Sequence, residues 1–507
     1  ILPELEPKTR NKMMHDTLIL CCHEGVKETK QAFGNLFSQV DYLCKAHGIK
    51  VADKIAIQTM RRHSNSQEPL SSEDLKYDAR ALAIFISAVF GVDVPHELNV
   101  LIPHTNRPYQ KGLEINNRRI RCIVKNWDSD FIRVDIDQDA DEEEYLVQLK
   151  DEENHIDHTY LWDILKEGMQ LNLLDCQVKQ PVITPRLIVV EPDYLVDISS
   201  IATCFTAFGH HPLLYLLNQM KPRANTQATL LGNFAGAALD DIINTNGKYQ
   251  MNETIKTNFR EKALEFCTCP WFDAKKFYTD ASLQAFNLQQ VVDILFPRTA
   301  SQAQMSAFRG ESLYDRKKAI LEPSFVCEAL GIQGRVDLMT TDCKLLVEQK
   351  SGRNMNIETH QVDPGYHSYQ LEPHYVQLLL YYGVLQHNFK LSNDRVNIRL
   401  LYSKYQPQDG LMVVAYYHKL FQEAITYRNQ LVAASFEIAK EGFEHALNEF
   451  TPDVLNVAGT QDFFYNKYLK PQIEAITSPL HNLTPLEEAY FCRMMTFVLR
   501  EQMISKV

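Results

Sequence analysis

No apolar run in the 507-residue chain approaches the roughly 18 residues that a bilayer-spanning helix needs; the longest candidate, Leu378–Leu385, is far shorter. No membrane partner is therefore expected. No signal peptide is expected either, because Arg10, Lys12 and His15 lead only into the brief apolar stretch Leu18–Cys22. An intracellular location is expected, cytoplasmic or nucleoid-associated, or nuclear in a eukaryote. Glycine (19) and proline (21) are too sparse for a collagen-like or linker-like chain. No Cys-x-x-Cys pair occurs among the 11 cysteines, and the one close pair is Cys267 and Cys269. That scatter argues against a disulfide framework or a zinc site and suits a reducing compartment. No Walker-type phosphate loop is present, so ATP hydrolysis is not expected of these residues.

What is present begins with charge. The net charge of −12 argues against a protein that coats nucleic acid indiscriminately. The acids are bunched, however: Asp135, Asp137, Asp139, Asp141, Glu142, Glu143, Glu144, Asp151, Glu152, Glu153 and Asp157 fall in one stretch. The remainder is close to neutral, which leaves room for a locally basic groove. The run itself reads as a solvated loop and strand edge.

The length suits about two to four domains. Residues 1–112 read as helical: Phe33, Phe37, Val40 and Leu43 recur at helical spacing, as do Leu75, Ala79, Leu82, Ile86 and Phe90. Over 113–189 the period changes to short alternating segments, Arg119–Lys125, Phe131–Asp135 and Glu144–Leu149, which predict a small β-barrel of the OB or SH3-like kind. Residues 190–425 interleave helices (197–220, 227–244, a long polar stretch over 250–320, 371–387) with strands (324–328, 334–340, 344–349, 396–402, 411–416), a mixed α/β sheet domain. Residues 426–507 read as helical, closing on an amphipathic helix with Pro485 in its first turn. The start at Ile1 and the missing C-cap signal lead us to expect a longer gene product with a further domain beyond.

The informative stretch is Gly334-Arg335-Val336-Asp337, followed after ten residues by Glu348-Gln349-Lys350. Both flanks are β-like, and the polar Thr340-Thr341-Asp342 between them predicts a hairpin that brings Asp337 and Glu348 together. Paired carboxylates there make an oxygen-rich site for Mg²⁺ or Mn²⁺. Lys350 follows Glu348 by two residues, so on a strand it shares the same face and can orient water or stabilise charge on a phosphate. The bare pattern is cheap: Asp16 with Glu28-Thr29-Lys30 also matches it, but in a helix-like context. Downstream, His374, Gln377 and Tyr381 share one stripe of an otherwise apolar helix, where buried polar groups need partners. Upstream, Asp240 and Asp241 end an apolar helix opened by Gly232, and either could supply a further carboxylate.

With these residues the chain resembles the RecB-type branch of the PD-(D/E)xK nucleases, in particular the nuclease region of flap-processing replication and repair helicase-nucleases. The likeness spans about 190–440. Gly232 matches the family's Gly, Asp240 its Glu, His374 the His before the Gln, and Lys350-Ser351-Gly352 its continuation after the Lys. The resemblance implies a restriction-endonuclease-like mixed-sheet core, preceded here by the helical region and the small barrel. It implies Asp240, Asp337, Glu348 and the Gln349 carbonyl as ligands of Mg²⁺ or Mn²⁺. Asp337, Glu348, Lys350, Gln377 and Tyr381 would be catalytic, with Ser351, Arg353 and His374 on the nucleic acid. DNA, single-stranded or forked, is the implied substrate, and a helicase domain or partner the implied associate. Two departures stand out. Gly236 occupies the place of the family's metal-binding His, and no Cys lies between 344 and 491 to complete an iron–sulfur cluster with Cys204, so no cluster is expected. The residues leave open a catalytically degenerate DNA-binding scaffold for a helicase, and an interaction protein recruiting partners through residues 1–112.

Overall fold

The computed structural model describes residues 5–506 except 30, 65–69, 108–117, 138–143, 207–208, 222–224, 247, 364–367, 392–395, 457–458, 460 and 481. Asp139, Asp141, Glu142 and Glu143 of the acidic run, and the expected boundary at 112/113, lie outside the described residues.

The first helices are Pro7–Gly25, Leu36–Ala46, Val51–His63 and Ser72–Phe90. They close over Leu18, Val40, Leu43, Ile57, Met60 and Phe85. Asn35 caps the second of them, so Phe33 precedes the helix whose face it was expected to share. Of the alternative match, Asp16 lies inside the first helix and Glu28 in the turn that follows it, while Lys30 lies outside the described residues.

Seven strands follow in one sheet, in the spatial order Gln177–Lys179, Val182–Thr184, Tyr145–Gln148, Phe131–Ile136, Arg119–Trp127, Gln170–Leu174, Leu187–Val190. The expected small barrel is corrected here: among the described residues the first and last strands of that order do not pair, and the sheet is open. The reason is visible at Leu187–Val190, whose free edge is taken by a side chain. Asn429 donates to the Ile188 carbonyl at 2.7 Å and accepts the Val190 N–H at 2.9 Å, standing where a strand would pair. In the described part of the acidic run Glu144, Glu152, Glu153 and Asp157 are exposed, as expected, but Asp135 and Asp137 are less solvated. Asp135 pairs with Lys54 at 3.2 Å and Lys125 at 2.7 Å, and Asp137 with Arg61 at 2.5 Å, fastening the helix Val51–His63 to the sheet.

The remainder is mixed α/β. A five-stranded sheet runs Ala319–Leu321, Leu338–Thr340, Leu345–Lys350, Asn397–Tyr402, Leu411–Val413. Its third and fourth strands are parallel, joined by a crossover through the helix Glu372–Phe389. Alternation along the strands divides the core. Leu346 and Leu400 face the helices Glu372–Phe389 and His418–Glu441; Leu345, Val347 and Leu401 face Gln227–Asn244 and Ala274–Leu295. The single helix expected over 197–220 is two, Ile198–Ala202 and Leu214–Met220, separated by the short hairpin Phe205–Thr206/Gly209–His210 and by Pro212, which cannot sit inside a helix. The polar stretch after 250 is likewise several helices, of which Ala274–Leu295 is the longest. No described helix is long and apolar enough to cross a membrane.

Between the seven-stranded sheet and the α/β core lies a buried polar junction. Glu191 accepts the Gln170 backbone N–H at 3.0 Å, and burial pushes its carboxyl up to about 8. The folded chain therefore holds this proton more tightly than the unfolded chain, where the group titrates near 4.5. The resulting stabilisation is complete below about 4.5 and is lost as pH rises through about 8. We expect the urea midpoint of the parent to fall across this window more than that of Glu191→Gln. Parallel pH profiles for the two proteins would discard the assignment.

Candidate active site

The site is built at a corner. One long hairpin pairs 319–327 with 332–340, but it is broken at Glu322-Pro323 on one side and Val336-Asp337 on the other. Pro323 has no N–H to give to a ladder, and Glu322 sits at φ +47°, so the chain turns there. Ala319–Leu321 and Leu338–Thr340 remain in the five-stranded sheet, whereas Ser324–Cys327 and Ile332–Arg335 join Val196–Asp197 in a second, three-stranded one. Asp337 is thus at the bend, not within a strand of a flat hairpin. The Glu322 N–H donates to the Asp337 carbonyl at 3.0 Å, which holds the two acids at the same corner.

The bend frees the Asp337 side chain to act across the ladder. Leu338 pairs with Val347, and one step beyond, Asp337 Oδ2 accepts the Gln349 N–H at 2.6 Å. Glu348 and Lys350 point to the face covered by the helix Glu372–Phe389. Gln349 points to the other, its amide donating to Ser403 Oγ at 2.6 Å, so only its backbone lies near the acids. Lys350 Nζ donates to Glu348 Oε1 at 2.7 Å and to Gln377 Oε1 at 2.8 Å. Glu348 is 3% exposed, and its second oxygen, Oε2, is buried without a hydrogen-bond partner. An unpaired buried carboxylate oxygen is costly. Burial, and then the neighbouring Asp337, push the Glu348 carboxyl up to about 8, against the pull of Lys350. Burial also raises Asp337, opposed by the Gln349 N–H.

The covering helix supplies the rest. Tyr381 donates its hydroxyl to the Arg335 carbonyl at 2.6 Å, locking the helix onto the corner. Gly334 is required by this contact: a Cβ there would lie 2.9 Å from the Tyr381 ring. His374 turns to the Tyr402 hydroxyl at 2.9 Å; burial, and then Lys350, hold it down at about 4, so it is neutral and occupied.

Of the two candidate upstream acids, Asp240 faces the site. Its carboxyl is raised to about 7 by burial first, then by Glu322 and Asp337. Asp241 instead accepts from Thr254. Gly236, one turn before Asp240, has open space where a side chain would stand. Ser351 lies close to Gly232, and its carbonyl accepts from Gln284 at 2.9 Å. Arg353 is exposed and paired with Glu358. Glu322 is the member that reading the sequence missed. Its one signal is an acid placed before a proline inside an otherwise β-like run.

The structure therefore brings together Asp337, Glu348, Lys350, Gln377 and Tyr381, with Asp240 and Glu322 alongside Asp337. Among the described residues no three His, Cys, Asp or Glu side chains gather into a ready-made ion-binding group. The donor set nonetheless suits a hard divalent cation: carboxylate oxygens, one of them unpartnered, mutually repelled and beside a strand backbone. No protein-family model matches this chain and no curated protein matches it, so geometry and chemistry carry the reading of the site.

Proposed function

We propose that the chain is a Mg²⁺- or Mn²⁺-dependent deoxyribonuclease that hydrolyses phosphodiester bonds of single-stranded or unwound DNA, in replication, recombination or repair and in association with a helicase. The observation that carries this reading is Lys350 Nζ held between Glu348 and Gln377, next to the unpartnered Glu348 Oε2 and across from Asp337. Asp337, Glu348 and the Gln349 carbonyl would hold the ion, with Asp240 and Glu322 as further carboxylates near Asp337. Such an ion supplies Lewis acidity at the phosphate and a more acidic water.

The chain's own groups have separate tasks. Lys350 brings a fixed positive charge to the place where negative charge grows on the phosphate, and Gln377 fixes the direction of that charge by accepting a hydrogen bond from the ammonium. Tyr381 holds the covering helix to the Arg335 carbonyl and so fixes where Gln377 stands. Glu348 and Asp240, both raised by burial and by their acidic neighbours, must give up their protons for a cation to bind.

The test is incubation of the purified chain with end-labelled single-stranded and forked DNA in Mg²⁺, Mn²⁺ or EDTA. Product is expected with either metal and none in EDTA. The open space at Gly236, where the resembling family has an imidazole, favours one second reading, a DNA-binding scaffold. Salt-sensitive binding with no product in either metal would select it.

A further inference from the structure

The walls of a second cleft, of about 1080 Å³, come from the seven-stranded sheet, the hairpin turn at 328–331 and the C-terminal end of the helix Glu372–Phe389. These walls are fixed to one another. Asn172, on the sheet, donates to the carbonyls of Glu328 and Ala329 at 3.0 and 3.1 Å. Asn388, at the helix end, donates to the Val326 carbonyl at 2.9 Å. The cleft is thus a built feature of the fold.

Its lining is cationic in a chain that is otherwise acidic. Arg118, Arg119, Arg186 and Lys390 line it, against two acids, Asp175 and Glu328. Glu328 is met by Arg119 at 3.4 Å, whereas Arg186 and Lys390 pair with no acid among the described residues. Aromatic and imidazole rings, Tyr416, His418 and His387, lie between the charges. Exposed cations interleaved with flat rings along an open cleft are the features by which a single strand is held, phosphates on the charges and bases on the rings.

The position matters as much as the composition. The helix that carries Gln377 and Tyr381 also carries His387 and ends at Lys390, and six residues from Tyr381 to His387 rise roughly 9 Å. The hairpin that carries Arg335 and Asp337 likewise reaches the cleft through its turn. Two elements therefore have the carboxylate corner at one end and the basic cleft at the other.

We propose that this cleft is an anchoring site for a single-stranded nucleic acid, engaging its phosphates through Arg186 and Lys390 at a distance from the bond that is cut. The occupant's identity as a substrate strand rests on the nuclease reading above. The test measures binding of a labelled single-stranded oligonucleotide to the full chain in EDTA, for the parent and for Arg186→Ala/Lys390→Ala. Both cleft side chains are exposed, so folding is unaffected. The double variant is expected to bind about tenfold more weakly, and the slope of log K against log salt to fall by roughly 1.4, the value for two phosphate contacts on a single strand.

Unchanged affinity and slope in the double variant overturn the cleft. So does full displacement of the strand by a mononucleotide at equal phosphate concentration, which would make this a small-molecule pocket. Cleavage assays in Mg²⁺ separate the two ideas. A parent that cuts DNA while the double variant binds normally loses the cleft and keeps the nuclease. A parent that binds through Arg186 and Lys390 but yields no product keeps the cleft and loses the nuclease.

Discussion

Lys350→Ala is expected to lower metal-dependent cleavage by about 10²- to 10³-fold, the range found when one preorganised charge-stabilising donor is removed. The variant should stay folded. Lys350 is the partner of Glu348, but Glu348 is already raised to about 8 by burial and Asp337. Without the ammonium it rises further and simply keeps its proton near neutral pH, so no bare buried charge is left behind. Ion binding gives a second readout that separates a charge-stabilising role from a structural one. Removing a cation from beside the acids removes a repulsion, so Mg²⁺ affinity at high pH, measured by calorimetry, should be equal to the parent's or tighter. A folded Lys350→Ala protein that cuts DNA at the parental rate would remove the assignment of this lysine and, with it, the proposed mechanism.

The second large effect is on stability. Arg428, on the helix His418–Glu441, is fully buried and spends its guanidinium on backbone carbonyls. Nε donates to Gly331 at 3.2 Å, one terminal nitrogen to Glu191 at 2.9 Å and Tyr194 at 2.8 Å, and the other to Val190. Gly331 is held at φ +61°, and a Cβ there would collide with the guanidinium. One side chain thus joins the end of the seven-stranded sheet to the strand that leads to Asp337. Arg428→Met leaves several buried carbonyls without donors, and we expect a loss of about 3–5 kcal/mol in denaturant unfolding. Arg428→Lys should recover little, because an ammonium cannot reproduce the planar fork. A loss below about 1 kcal/mol in Arg428→Met, within the range of an ordinary hydrogen bond, would show that the carbonyls find other partners.

The chemistry of the site is legible where it is local. Glu348 and Lys350 share a face because a strand alternates, and His374, Gln377 and Tyr381 share a stripe because a helix repeats; both follow from spacing alone. The choice between Asp240 and Asp241 is not legible, since it depends on which neighbour, Thr254 or Asp337, each acid meets across the fold. The corner is half legible. Asp337 is evident from its motif, but the bend that makes it a side-chain cap for Gln349, and that brings in Glu322, arises from two sheets competing for one hairpin. The open edge at Leu187–Val190 is invisible in the strand pattern, because the group that occupies it, Asn429, lies more than 200 residues away. Arg428 reads in sequence as one more polar residue on an amphipathic helix. His374, expected on the nucleic acid, is taken by Tyr402, a residue from the strand after the crossover.

The parallel pairing of Leu345–Lys350 with Asn397–Tyr402 has a consequence for when the proposed site is completed. Glu348 is flanked by Leu400, and the helix that positions Gln377 is set down only when the crossover closes. Chains leave the ribosome from the N-terminus, and contacts of such separation form late. A nascent polypeptide that has shown its acids but not yet residues 397–402 has no seated lysine and no covering helix. Under the proposed nuclease function, cleavage of nearby DNA is therefore expected only after that strand has emerged.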